Sequence, residues 1–535
     1  MKSVGQCGFL ARTVGAVWVM AAVFACAPVE QGDAPSPSAS SADTPFAVGN
    51  ATLFIHDPNR GFDEAAGIAA GLRILITEIW YPVRHGAVAP SLRRAVHGDY
   101  VFGDRAVHEL MMTQTTFFHL TPDTVAQGVD QAAIDAAIDE LFSRPRNSYV
   151  NAPIAVQAAP FPVVVMSHGD AGSRYNMETV CEHLAANGYV VIAPEHTGNS
   201  PYSMTGRDPA LAAADGSGED SRRWAEVVDL LDERGVYGSP DNFGQSYTPL
   251  GADRSSPAAL RQLDAALLQR VEDLRATLDE LGRLNQAGFF AGALDLERIG
   301  LMGRSFGGAT TLAALALEGR FAAGMVVAAP SSPDLRPMLP AEALAPPDVE
   351  SVVLSRDGPY GLGEIHKPTL LLSGAQDSLI IGMAASMAEA AGSAAPNPDN
   401  PFPVLRQAFE KADAPAIWAL LDNANHATFG VSGAYWWPHL KPTRFPRHFQ
   451  PAMGEGFGSD DSLTERQQPT VREPAQGFDP DTHYELVDAG LAHRIQQDKA
   501  LAFFDLAIRQ DPTARDRLID DRFEAAGLQL EWRNF

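Results

Sequence analysis

The chain has 535 residues and 45% apolar content, enough to build a large core. Its 66 Asp and Glu against 40 Lys and Arg give a formal net charge of −26. That balance argues against nucleic-acid or anionic-membrane binding through a basic surface, suits solubility outside the cytoplasm, and mildly repels anionic substrates.

The first segment reads as an address. Lys2 and Arg12 lead into the apolar run Val14 to Cys26, which is too short to span a bilayer and is followed by small residues, so residues 1–27 read as an export signal. Val23-Phe24-Ala25-Cys26 resembles a bacterial lipoprotein box, in which Cys26 is lipidated and becomes the first mature residue, although Phe24 is bulkier than the usual occupant. Ala25-Cys26-Ala27 also offers ordinary cleavage after Ala27, the competing reading. Residues 28–45, with Pro35-Ser36-Pro37-Ser38, lack the apolar content to pack and suit a tether between anchor and body, which favours the lipoprotein. The expected location is the cell envelope, facing periplasm or exterior, with a soluble exported form as the alternative.

The body, residues 46–535, alternates apolar strand runs with helical periodicity, the pattern of an α/β fold with a mostly parallel sheet and helices on both faces. A strand covers Ile79-Trp80-Tyr81-Pro82. A first insertion, about 97–152, carries an amphipathic helix from Val125 to Phe142. The β-branched run Phe161 to Ser167 then enters the loop His168-Gly169-Asp170-Ala171-Gly172. Asn176 to Gly188 reads as a helix ended by glycine, and Gly188 to His196 as the next strand. A second insertion, about 197–290, holds a helix over Pro257 to Leu284 with leucines at helical spacing, a pattern that favours scaffold packing over a cap.

Arg298 to Met302 is an apolar run that breaks on Gly303-Arg304-Ser305-Phe306-Gly307-Gly308 and passes into an Ala- and Leu-rich helix. Strand, sharp turn and helix lift the Ser305 hydroxyl out at the sheet edge as a candidate nucleophile, and the glycines avoid a Cβ clash in the bend. A serine needs a base, and the base an orienting acid. Asp377 follows the strand Thr369 to Gly374, and His426 leaves the strand Ala416 to Leu421, so both sit past C-terminal strand ends. Asp334, past the strand Gly324 to Ala329, is the rival acid. The oxyanion donors are the backbone amides of Phe306 and, from the loop after Ser167, Asp170 with Ala171 next. The Asp170 carboxylate would oppose an oxyanion unless it turns away, for instance to cap the helix beginning near Tyr175. His168, inside that loop, reads as a structural hydrogen-bonding residue rather than the base.

A third insertion, about 427–485, is rich in Pro, Gly and aromatics, and its Trp436 and Trp437 either line the pocket or fill the insertion's own core. A closing helix spans about Ala489 to Arg509. Cys7 and Cys26 belong to the signal, leaving Cys181 as a buried packing thiol with no disulfide partner. The histidines show no metal-ligand spacing, and Gly-x-Gly-x-x-Gly and Walker-type loops are absent, so neither a metal nor a nucleotide cofactor is inferred.

Thr77-Glu78-Ile79-Trp80-Tyr81-Pro82, Ser167-His168-Gly169, Gly188 to His196, the Ser305 elbow and His426 together resemble the α/β-hydrolase superfamily. Within it, the chain is similar to platelet-activating-factor acetylhydrolases and dienelactone-hydrolase-like esterases. The acetylhydrolases carry their acid directly after the strand that follows the nucleophile helix. Here that strand ends Val327-Ala328-Ala329-Pro330 without an aspartate in register, which favours Asp377 and weakens the inference of a phospholipid substrate. The reading is a serine carboxylic-ester hydrolase acting on a small-molecule or lipid ester. A lipase or phospholipase A2-like activity is the alternative. A serine peptidase of the same fold and a non-catalytic binding protein on the scaffold are further alternatives.

Overall fold

The computed structural model describes residues 44–101, 131–170, 172–200, 256–332, 334, 336–358, 362–431, 444–446 and 483–535, with a few positions between 217 and 233. Contacts separate residues 1–35 from 36–535, and all that is described lies in the second unit. The signal with Cys26, most of the tether, Ala171, and Trp436 and Trp437 lie outside the described residues.

Short apolar runs build the centre of the body. In chain order the elements begin with β1 (Ala47–Asp57), β2 (Arg73–Val83), β3 (Arg94–Val96), α1 (Gln131–Ser143), β4 (Pro145–Val150), β5 (Phe161–Ser167), α2 (Glu178–Ala186) and β6 (Val190–Pro194). After the second insertion's helix α3 (Pro257–Gln286) come β7 (Leu294–Arg304), α4 (Phe306–Leu317), β8 (Phe321–Val327), β9 (Thr369–Gly374), α5 (Ser378–Ala391), α6 (Pro403–Lys411) and β10 (Ala416–Leu421). A small antiparallel pair, β11 (Arg444–Pro446) and β12 (His483–Glu485), precedes α7 (Ala489–Ala507), α8 (Ala514–Ile519) and β13 (Leu528–Arg533).

Eleven strands form one sheet, ordered β13-β10-β9-β8-β7-β5-β6-β2-β1-β4-β3. From β6 through β10 every neighbouring pair is parallel, while β2 and β13 close the two ends of that run antiparallel. This is the mostly parallel α/β sheet expected from the alternation of strand runs and helical periodicity. The parallel strands read as continuous apolar runs because both faces are covered. Val163 and Val165 of β5 join one core with α3, α4, α5 and α6, while Val164 and Met166 join the other with α2 and α7. Cys181, on α2, is buried in that second core, where burial, then Glu178 and Glu182, push its thiol well up. It is a packing residue.

The described parts of two insertions build the scaffold. The leucine stripe of α3 (Leu267, Val271, Leu274, Leu278) packs wholly into the sheet's core. Within the first insertion, β4 pairs in parallel with β1 and so widens the sheet. Pro145-Arg146-Asn147-Ser148 does not read as a strand in isolation, and its pairing is a tertiary effect.

The chain leaves β5 for β6 on one side and returns to β7 on the other. Such a reversal opens a crevice outside the strands' carboxyl ends, where α/β sheets bind ligands. Both the His168 loop and Ser305 emerge there.

Candidate active site

Ser305 sits between β7 and α4 with φ 56° and ψ −127°, a left-handed conformation that side chains avoid. Three backbone hydrogen bonds hold it: its N–H donates to the Val327 carbonyl at 2.8 Å, and its carbonyl accepts from Gly308 at 2.8 Å and Ala309 at 3.2 Å. The elbow needs its glycines. A Cβ on Gly303 would lie 2.1 Å from the Gly307 carbonyl oxygen, and one on Gly307 would lie 2.0 Å from that of Ser167. The helix can therefore press against both β7 and β5.

His426 opens a short 3-10 turn, His426–Phe429, whose N-cap is Asn425. The Asn425 side chain accepts from Ala427 N–H, and Thr428 Oγ1 accepts from Asn425 N–H. Arg304 donates to the His426 carbonyl and His493 Nε2 meets that of Thr428, so the loop is fixed from two sides. The His426 ring then spans two partners: Nε2 is 3.0 Å from Ser305 Oγ and Nδ1 is 2.8 Å from Asp377 Oδ2. A carboxylate only accepts, so Nδ1 carries the proton and Nε2 presents a lone pair to the serine hydroxyl. Burial lowers the His426 pKa below its usual value, Asp377 opposes that, and the buried Arg304 adds to it. The imidazole is thus neutral and basic at neutral pH.

Asp377 is fully buried and does two jobs. Its Oδ2 faces His426, and its Oδ1 accepts from Ile380 N–H at 3.1 Å as the N-cap of α5. The rival Asp334 is not brought to the histidine. Its carboxylate is held by its neighbour Arg336, with contacts of 2.8 and 2.7 Å to the guanidinium and 3.0 Å to the backbone N–H.

Phe306 is the first residue of α4, where a backbone N–H has no acceptor within the helix. The loop after β5 lies against the serine, since a Cβ on Gly169 would be 3.1 Å from Ser305 Cβ. Asp170 is the next residue. The residue at the N-cap of α2 is Met177, and the Asp170 carboxylate accepts from Asn199 Nδ2 at 2.7 Å. His168 has a structural place: Nδ1 donates to the Gly169 carbonyl at 2.6 Å and Nε2 accepts from His196 N–H at 2.9 Å. Burial, then Arg270 and His196, push its pKa well down, so the ring is neutral.

Sequence reasoning missed a second Ser-His-Asp relay beneath this loop. Ser167 Oγ is 2.9 Å from His196 Nε2, and His196 Nδ1 is 2.9 Å from Asp273 Oδ2. Its chemistry differs because all three side chains are fully buried. Burial alone raises the Asp273 carboxyl, but Arg73 and Arg60 outweigh it and hold the group far below the usual carboxylate range. Arg73 grips that carboxylate with two bonds, of 2.6 and 2.7 Å. Burial, then Arg270, push His196 down to about 3, so this relay is fixed in one polarity. The signal for it was faint: Arg270 and Asp273 lie three apart beside the leucine stripe of α3.

Comparisons with known proteins add a family likeness to part of this architecture. Residues 128–236 match the family model described as platelet-activating factor acetylhydrolase, isoform II. The matched stretch contains β5, the His168 loop, α2 and β6, and ends before Ser305. A curated protein of Schizosaccharomyces pombe, titled "Putative phospholipase A2", is 36% identical over 84 residues, which are 16% of this chain and 17% of that protein. The match thus spans about a sixth of the relative's length. A solved ferulic acid esterase from Streptomyces cinnamoneus aligns over 91% of this chain and 97% of its own, at 19% identity and a TM-score of 0.49.

Proposed function

We propose that the protein is an exported serine carboxylic-ester hydrolase. The observation that carries this is the unbroken hydrogen-bond chain from Asp377 through His426 to Ser305, at an elbow built to present that one hydroxyl. His426 takes the Ser305 proton as Oγ attacks the ester carbonyl, and Asp377 holds the ring and offsets the imidazolium charge. The amides of Phe306 and Asp170 donate to the tetrahedral oxyanion, helped by the N-terminal end of α4. His426 then protonates the departing alcohol, leaving an acyl-enzyme. Water, deprotonated by His426, hydrolyses it and returns the proton to Ser305.

The test is turnover of p-nitrophenyl esters from acetyl to palmitoyl by the chain lacking residues 1–27, beside Ser305→Ala, with organophosphate labelling of both. Activity and label lost together in the variant support the reading. Equal turnover by Ser305→Ala would overturn it.

A second reading has its own support. The acetylhydrolase family match and the phospholipase-titled relative favour a lipid ester as substrate. An optimum on long acyl chains, with turnover of a short-chain phospholipid, would choose it over a small-ester enzyme. For the N-terminus we propose cleavage before Cys26 and lipidation of that residue. The mass of the mature N-terminal peptide tests it, since cleavage after Ala27 leaves Pro28 first and no lipid.

A further inference from the structure

One cation lies beneath the oxyanion loop with no part in the proton relay. Arg270 of α3 is 2% exposed. Its guanidinium donates to the His168 carbonyl, to Asn199 Oδ1, and to Ser167 Oγ at 3.2 Å. Asn199 passes the contact on through its bond to Asp170 Oδ1. The ring of Phe306 lies 4.8 Å from the same guanidinium. Arg270 therefore reaches, directly or through one side chain, both residues whose amides are assigned to the oxyanion.

Asp170 makes such a contact necessary. A carboxylate beside a forming oxyanion raises the energy of the state an ester hydrolase must stabilise, unless a fixed positive charge faces it. Burial draws Arg270 down to about 9, with Asp170 and Asp273 opposing, so the guanidinium stays charged at neutral pH. The second relay holds it from the other side. Ser167 Oγ accepts from Arg270 and donates to His196 Nε2, whose Nδ1–H donates to Asp273. Both Nη groups of Arg270 have acceptors, its Nε–H has none among the described residues, and the two bonded nitrogens set the orientation of the cation.

We propose that Arg270 is a positioning residue for the oxyanion hole: through the His168 carbonyl and the Asn199 bridge it fixes the loop that offers the Asp170 amide and offsets that residue's carboxylate charge. The proposal rests on the ester-hydrolase reading of Ser305. It assigns the polar face of α3 a part in rate, beside its packing.

A double-mutant cycle tests it on p-nitrophenyl acetate. Arg270→Gln is expected to lower kcat about 100-fold, the scale of losing one oxyanion donor, with KM changed less than about three-fold. In an Asp170→Asn background the same substitution is expected to cost less than about ten-fold, because the carboxylate charge that Arg270 offsets is then gone. A purely structural arginine would cost the same in both backgrounds, and that result overturns the proposal. So does a folded Arg270→Gln enzyme with unchanged kcat. If near-UV circular dichroism shows that Arg270→Gln does not fold, Asn199→Leu cuts only the bridge. Its kcat loss should shrink in the Asp170→Asn background, and an equal loss in both overturns the proposal. Organophosphate labelling of the unmodified enzyme separates the two levels. With Ser305 labelled and the cycle additive, only the role of Arg270 falls; with Ser305 unlabelled and no ester turned over, the hydrolase reading falls and takes this one with it.

Discussion

Asp377→Asn separates the two jobs of one carboxylate. Asparagine keeps an oxygen for Ile380 N–H and is itself a good N-cap, so α5 should lose at most a few tenths of a kcal/mol. The other oxygen becomes an NH2 facing His426 Nδ1 across the 2.8 Å contact. That donor selects the tautomer with the proton on Nε2, where it points at Ser305 and cannot accept. The lost charge adds to this. At about 4 Å between carboxylate and imidazolium centres and an effective dielectric of about 20, the missing attraction is about 4 kcal/mol, or roughly a thousand-fold. With the wrong tautomer the expected fall in kcat is on the order of 10⁴-fold. Asp377→Ala should lose the same rate and also about 1 kcal/mol of stability, because the cap goes too. Steady-state hydrolysis of a p-nitrophenyl ester beside urea unfolding reads both effects. An Asp377→Asn enzyme within ten-fold of the parent would refute this assignment.

Three further outcomes follow from the same geometry. His426 must be neutral to act, so kcat/KM should be lost as pH falls through its pKa; burial and Arg304 set that limb below 6.5, and a limb above 7 would contradict the site as described. Gly307→Ala would put a Cβ 2.0 Å from the Ser167 carbonyl oxygen, forcing α4 and the Phe306 amide back; displacement on the order of 1 Å should cost about 100-fold in kcat, and a loss under three-fold would contradict the close packing. Asp334→Asn should leave kcat within about two-fold, because that carboxylate serves Arg336 and not the histidine; a loss above 100-fold would reinstate it as the acid.

Signals local in the chain were legible. The break from Leu301-Met302 into Gly303 to Gly308 marked a strand, an elbow and a helix within a dozen residues, and these are β7 and α4. Asp377 and His426 each follow a short apolar run ended by small or polar residues, and the runs are β9 and β10. What the sequence hid is set by distant pairing. Arg270 bonds the His168 carbonyl across 102 positions, and Arg73 bonds Asp273 across 200. Periodicity announced the apolar face of α3, but nothing local says that its neighbouring polar face is buried too. The same limit explains Asp170, whose partner was expected just downstream at the helix and is found at Asn199. It also explains β4, a polar strand within the first insertion that its neighbours β1 and β3 make regular.

The buried copy of the relay has a consequence for reagents. Ser167, His196 and Asp273 reproduce the spacings of the outer set to within a few tenths of an ångström, yet an electrophile meets them only if the interior opens. Opening admits water to His196 and frees Arg270, and the bonds that would sharpen the hydroxyl dissolve in the same event. Reach and activation are mutually exclusive at Ser167. It should therefore stay silent to serine probes from native buffer through full denaturation, so that the label reports where solvent and an intact relay coincide.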